Sequence, residues 1–185
     1  MRGGHTKTRL NYIAIAAAVM ISAINTQAQS PATYGQQIAV MKMLKANLGV
    51  VGVLSSTLSN KAMEDITRAA AGQGVKVVFA RPKEAMEIAG YYKRLVSEKS
   101  VEVIWIPDVN DQLLLGIGFE FLKENTLPDK IGLYVPDQKF VSSGALCSVL
   151  SVSGKLTAYV NQKIARVVGV SVPSEEGSAV TYVSQ

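Results

Sequence analysis

Runs of Val, Ile and Leu alternate with segments of helical period along most of this chain, and that alternation limits the folds open to it more than any other feature. Gly49 to Leu54, Val75 to Ala80, Val101 to Ile106 and Lys130 to Val135 are near-continuous apolar runs. Strands of that kind are buried on both faces, as in a parallel sheet covered by helices on each side. Each run is followed by a helix-period stretch. Ser59 or Asn60 can cap one whose Met63, Ile66, Thr67 and Ala70 share a face, with Glu64 and Asp65 in its first turn. Pro82 fits the first position of the next, lined by Ala85, Ile88, Ala89, Tyr92 and Val96, and Leu115, Gly118, Phe119 and Leu122 line a third. Upstream, Ile38, Met41, Leu44 and Leu48 mark a leading helix. The expected fold class is α/β: a three-layer α/β/α sandwich around a mainly parallel sheet.

Past Gly144 the rhythm changes. Ala145 to Val152 and Lys155 to Val160 flank Ser153-Gly154, which predicts a C-terminal hairpin on the sheet edge. Asn161 can cap a last short helix with Ile164, Ala165 and Val168 inward and Gly169 at its end.

The first 28 residues stand apart. Arg2, Lys7 and Arg9 precede any acid, Tyr12 to Ile24 is uncharged and apolar, and Thr26-Gln27-Ala28 presents small residues for cleavage. That is a secretory signal peptide pattern, with an uncleaved N-terminal anchor as the alternative reading, and the apolar stretch falls short of the roughly 18 residues of a spanning helix. The expected organisation is a signal peptide over 1–28, a leader over 29–34, an α/β domain over 35–172 and a tail over 173–185. The expected location is the periplasm. Beyond residue 28 remain 16 Lys+Arg and 14 Asp+Glu, a net charge of +2, in place of +5 for the whole chain. No cationic cluster with interleaved aromatics survives, so nucleic acid is not an expected partner.

The only His is His5 and the only Cys is Cys147. Beyond the signal peptide this removes Ser-His-Asp and Cys-His catalysis, His-bearing metal sites and any internal disulfide. Cys147, in Ala145-Leu146-Cys147-Ser148-Val149-Leu150, reads as a buried structural thiol. No Walker A or S-x-x-K string occurs. Gly116-Ile117-Gly118 lacks the third glycine of a dinucleotide fingerprint, and Asp108-Val109-Asn110 lacks the later Gly and Glu of a calcium loop. Glu175-Glu176 sits in the tail. No catalytic constellation, metal or cofactor is expected.

In open α/β sheets, ligands sit beyond the carboxyl ends of the strands, where strand order reverses. The loops after the strands therefore supply the candidate ligand-binding residues. These are Ser55, Ser56 and Thr57 after the first strand, Asp108 and Asn110 after the third, and Asp137 after the fourth. The hydroxyls suit a carboxylate or phosphate, and the acidic loop, with Asp111, an amine or polyol. Capping and turn formation is the alternative role for both sets.

Several strings resemble a known family. Gly35-Gln36-Gln37 through Lys45 with Gly49-Val50-Val51-Gly52-Val53-Leu54, then Val103-Ile104-Trp105-Ile106-Pro107-Asp108, are two of them. Phe140-Val141-Ser142-Ser143-Gly144-Ala145-Leu146 and Asn161 through Pro173 are two more. All resemble periplasmic substrate-binding proteins of uncharacterised ABC-type importers, the type that includes tryptophan and tyrosine binders. That family has two lobes closing on a solute, and this chain looks like a single periplasmic binding protein-like lobe. The resemblance implies a non-catalytic protein recognising a small organic solute, such as an amino acid, or a membrane-protein partner. Tyr159-Val160-Asn161 with Ala165, Gly169 and Val170 also resembles periplasmic repressors of membrane-bound diguanylate cyclases. That second likeness implies a membrane sensor or a homodimer as partner.

Overall fold

The computed structural model describes residues 29–173 and 180–184; the expected signal peptide and Glu175-Glu176 lie outside the described residues. The strands are β1 (Gln29–Pro31), β2 (Val50–Leu54), β3 (Lys76–Ala80), β4 (Val103–Trp105), β5 (Gly132–Val135), β6 (Cys147–Val152), β7 (Lys155–Val160) and β8 (Val180–Ser184). The α-helices are α1 (Tyr34–Leu44), α2 (Asn60–Ala71), α3 (Ala85–Lys93), α4 (Gln112–Leu115), α5 (Ile117–Thr126), α6 (Gln138–Ser142) and α7 (Gln162–Val168). A π-helical turn, Arg94–Glu98, continues α3. No helix among the described residues is long and apolar enough to cross a membrane.

The strands form one sheet in the order β3-β2-β4-β5-β6-β7-β8, with β1 also paired to β6. From β3 to β6 every pairing is parallel. The apolar runs were the signal for this, because side chains on both faces of each strand meet helices. Val51, Val53, Val103, Trp105 and Tyr134 pack under α1, α2 and α7. Their neighbours Leu54, Ile104, Ile106, Leu133 and Val135 pack under α3, α4, α5 and α6. The result is the expected α/β/α sandwich.

The hairpin forms where expected. β6 and β7 pair antiparallel from Cys147↔Val160 to Val152↔Lys155. Ser153 and Gly154 both take positive φ, 50° and 77°, as a two-residue turn matched to strand twist requires. The hairpin is not the sheet edge, however. β8 lies outside β7 and parallel to it, and β1 pairs antiparallel to β6 through Gln29↔Val152 and Pro31↔Leu150. The stretches expected as leader and tail thus each contribute a strand.

Several helix details differ from the sequence reading. Ser59 caps α2, its oxygen accepting from the Ala62 N–H, and this pushes Glu64 and Asp65 into the second turn. Asp65 there pairs with Lys61 and Arg68, while Thr67 is exposed. Pro82 precedes α3 instead of opening it. Ala85 and Ala89 face solvent, and Leu95 joins Ile88 and Tyr92 inside.

The third expected helix is broken at Gly116, so Leu114 turns inward in place of Leu115. A Cβ at Gly116 would stand 2.7 Å from the Gln112 carbonyl oxygen. Gly116→Ala should therefore cost about 1–3 kcal/mol, because backbone must shift to admit the methyl. A urea midpoint equal to that of the unsubstituted protein would contradict this account of the break.

Candidate functional site

Strand order reverses about β2, whose neighbours are β3 on one side and β4 on the other. The crevice at this reversal opens between the β2–α2 and β4–α4 loops. An open cleft of about 590 Å³ lies there, lined by Pro31 to Tyr34 and Gln37, by Thr57, Leu58, Ser59 and Ala62, and by Pro107, Asp108 and Val109. Three chain segments meet at it.

The first is the β1–α1 junction, built by a capping box. The Thr33 oxygen accepts from the Gln36 N–H at 3.3 Å, and the Gln36 side chain accepts from the Thr33 N–H at 2.9 Å. This sets Tyr34 at the first position of α1, where its ring meets Trp105 edge-on at 5.9 Å and 76°. Burial, then the charges of Asp108 and Asp65, raise the Tyr34 phenol above its ordinary pKa. Gln37, almost fully buried, ties floor to wall. Its Oε1 accepts from Trp105 Nε1–H at 3.0 Å, and its Nε2–H donates to the Ala32 carbonyl at 2.8 Å.

The second and third segments are joined by carboxylates. Thr57 Oγ1–H donates to Asp108 Oδ2 at 2.6 Å, and the Asn110 N–H donates to Asp108 Oδ1 at 2.9 Å. Asp111, fully buried, accepts from Ser55 Oγ–H at 3.0 Å and from the Ser56 N–H at 2.6 Å on Oδ2. Its Oδ1 accepts from Ser56 Oγ–H at 2.6 Å and the Leu114 N–H at 3.1 Å. Ser55 Oγ in turn accepts from the Thr57 and Leu58 N–H groups, each at 3.2 Å.

Of the residues singled out from sequence, the structure brings Thr57 and Asp108 to the cleft. Ser55 and Ser56 turn to Asp111 and do not line it. Asn110 is exposed outside the lining. Asp137, after β5, is also outside it, where it caps α6 through the Lys139 N–H and pairs with Lys139 Nζ at 3.4 Å. Tyr34, Gln37 and Ser59 line the cleft without having been among the candidate ligand-binding residues, Ser59 having been expected as a helix cap. The T-x-x-Q spacing of Thr33 and Gln36 is the signal that could have placed Tyr34 at a helix start. Among the described residues no group of three or more His, Cys, Asp or Glu could hold a metal ion.

No family model and no curated protein matches the sequence. Solved structures do resemble the fold. A Streptococcus pneumonia ABC domain in complex with L-Trp matches with a TM-score of 0.68 at 22% identity, over 82% of this chain and 60% of that one. A conserved domain protein from Vibrio cholerae matches at 0.66 and 15%, over 82% and 60%. A ligand-free, open substrate-binding protein with adhesive properties from Clostridium difficile matches at 0.62 and 19%, over 80% and 58%. The chain thus has a periplasmic binding protein-like fold and spans about three-fifths of each of these proteins.

Proposed function

We propose that this protein is a non-catalytic, extracytoplasmic solute-binding lobe, related to the substrate-binding components of ABC importers, that takes a small organic solute of the amino acid class. The observation that carries this reading is the open cleft at the strand-order reversal, which joins an apolar wall to a few polar groups, as small-molecule sites do. Tyr34 offers a ring edge and face to an apolar body. Asp108 keeps lone pairs for an ammonium beyond those given to Thr57 and Asn110. The start of α2, capped by Ser59, favours a carboxylate through its dipole.

A thermal-shift screen of the purified protein against amino acids, organic acids, sugars and nucleotides tests the reading. A solute at 100 times its dissociation constant adds about 2.7 kcal/mol, which for a chain of this size raises Tm by roughly 5–10 °C. Asp108→Asn should then weaken binding by about 10- to 100-fold, the worth of a charge-assisted hydrogen bond. A flat screen on a cooperatively folded sample would reject the solute reading in favour of a protein partner.

A further inference from the structure

The four hydrogen bonds to Asp111 set it apart from every other carboxylate among the described residues. It is wholly buried, yet no Lys or Arg pairs with it among the described residues. A buried charge without a counter-ion survives only when its lone pairs are filled. Here each oxygen takes one hydroxyl and one backbone N–H. Such convergent donors at a strand-order reversal are what open α/β sheets offer to the anionic group of a ligand. In this chain its own side chain fills them.

We propose that Asp111 is a positioning residue acting as a built-in anion. It clamps the β2–α2 loop to the start of α4, so that Thr57 and Asp108 meet at the cleft wall, and it denies the Ser55-Ser56 donors to any carboxylate or phosphate of a solute. This second consequence rests on the solute-binding reading; the clamp does not. A solute carboxylate is then left to the start of α2, with no donor from the Ser55-Ser56 turn. An amide could not replace the Asp111 carboxylate. The Ser56 hydroxyl can rotate to accept, but the Ser55 oxygen already accepts from the Thr57 and Leu58 N–H groups, and the Ser56 and Leu114 N–H groups can only donate, so either orientation of an Asn sets an NH₂ against one of them.

The test is chemical rescue of Asp111→Gly by sodium formate, read by Tm and by hydrogen exchange at the Ser56 and Leu114 amides. The variant should melt lower and exchange faster at both amides. Formate should restore both properties saturably, and sodium chloride at equal ionic strength should not. The unsubstituted protein should not respond, and Asp111→Asn, whose side chain still fills the space, should be impaired without responding. Formate acting no better than chloride, or acting equally on the unsubstituted protein, overturns the proposal. Should Asp111→Gly not fold, Ser55→Ala/Ser56→Ala decides, since it keeps both backbone donors. Exchange at least tenfold faster at the two amides supports the clamp, and unchanged exchange overturns it. None of these readouts uses a solute, so a failed solute screen leaves the test intact.

Discussion

Trp105→Ala should lower stability by about 3–5 kcal/mol, enough to bring Tm down by on the order of 10 °C. Trp105 is fully buried in β4, so truncation opens a large void beneath α1. It also strands the Gln37 oxygen, which the indole N–H now satisfies at 3.0 Å. Gln37 in turn fixes the Ala32 carbonyl, so the loss should reach the cleft wall. Trp105→Phe separates the two effects, because it keeps most of the ring and removes the donor; about 1–3 kcal/mol is expected for that step. Urea unfolding followed by circular dichroism gives both values, the sole tryptophan being lost in each variant. An alanine variant within 1 kcal/mol of the unsubstituted protein would refute the packing account.

Alkaline pH should destabilise the fold steeply. Burial raises the Cys147 thiol above its ordinary pKa. The Tyr134 phenol is pushed well up by burial first, then by Cys147 and Tyr182. Both groups stay protonated in the folded protein at pH values where the unfolded chain releases its protons, from about pH 8.5 for the thiol and about pH 10 for the phenol. The unfolded state then binds fewer protons than the folded one, so stability falls with rising pH. Each group contributes a slope of about 1.4 kcal/mol per pH unit. Below these ranges the contribution is fully present. Cys147→Ala should remove the first slope and move the onset of the loss to the phenol range. Urea midpoints between pH 7 and pH 11 that stay level would contradict the burial argument for both groups.

The sandwich was legible because burial on both faces of a parallel sheet writes itself as unbroken Val and Ile runs, as in β2 and β4. The hairpin was legible because Ser153-Gly154 must take positive φ. β1 and β8 left weaker traces. β1 is three exposed residues without an apolar signature, and β8 follows Pro173 to Ser178, where no helical or strand period leads into it. The rule that ligands lie at carboxyl ends led to Thr57 and Asp108, which line the cleft, and equally to Ser55, Ser56, Asn110 and Asp137, which do not. It could not tell Asp108 from Asp111, because the difference lies in tertiary contact: one carboxylate reaches Thr57 at the cleft rim, the other the Ser55 and Ser56 donors inside. Gly116 misled the helix reading because the Gln112 oxygen that excludes a Cβ there is a feature of the folded backbone.

The β1 ladder joins Gln29–Pro31 to a strand far along the chain, but α1, which starts three residues later, already packs on β6, so the ladder adds only its own three pairs. An element with so little buried area belongs to the least protected part of a structure and opens below the global unfolding free energy. Pro31, Ala32 and Thr33 belong to the cleft. The cleft therefore has one stiff side, made by two loops riveted together, and one side that breathes, with the Gln37 amide as its latch.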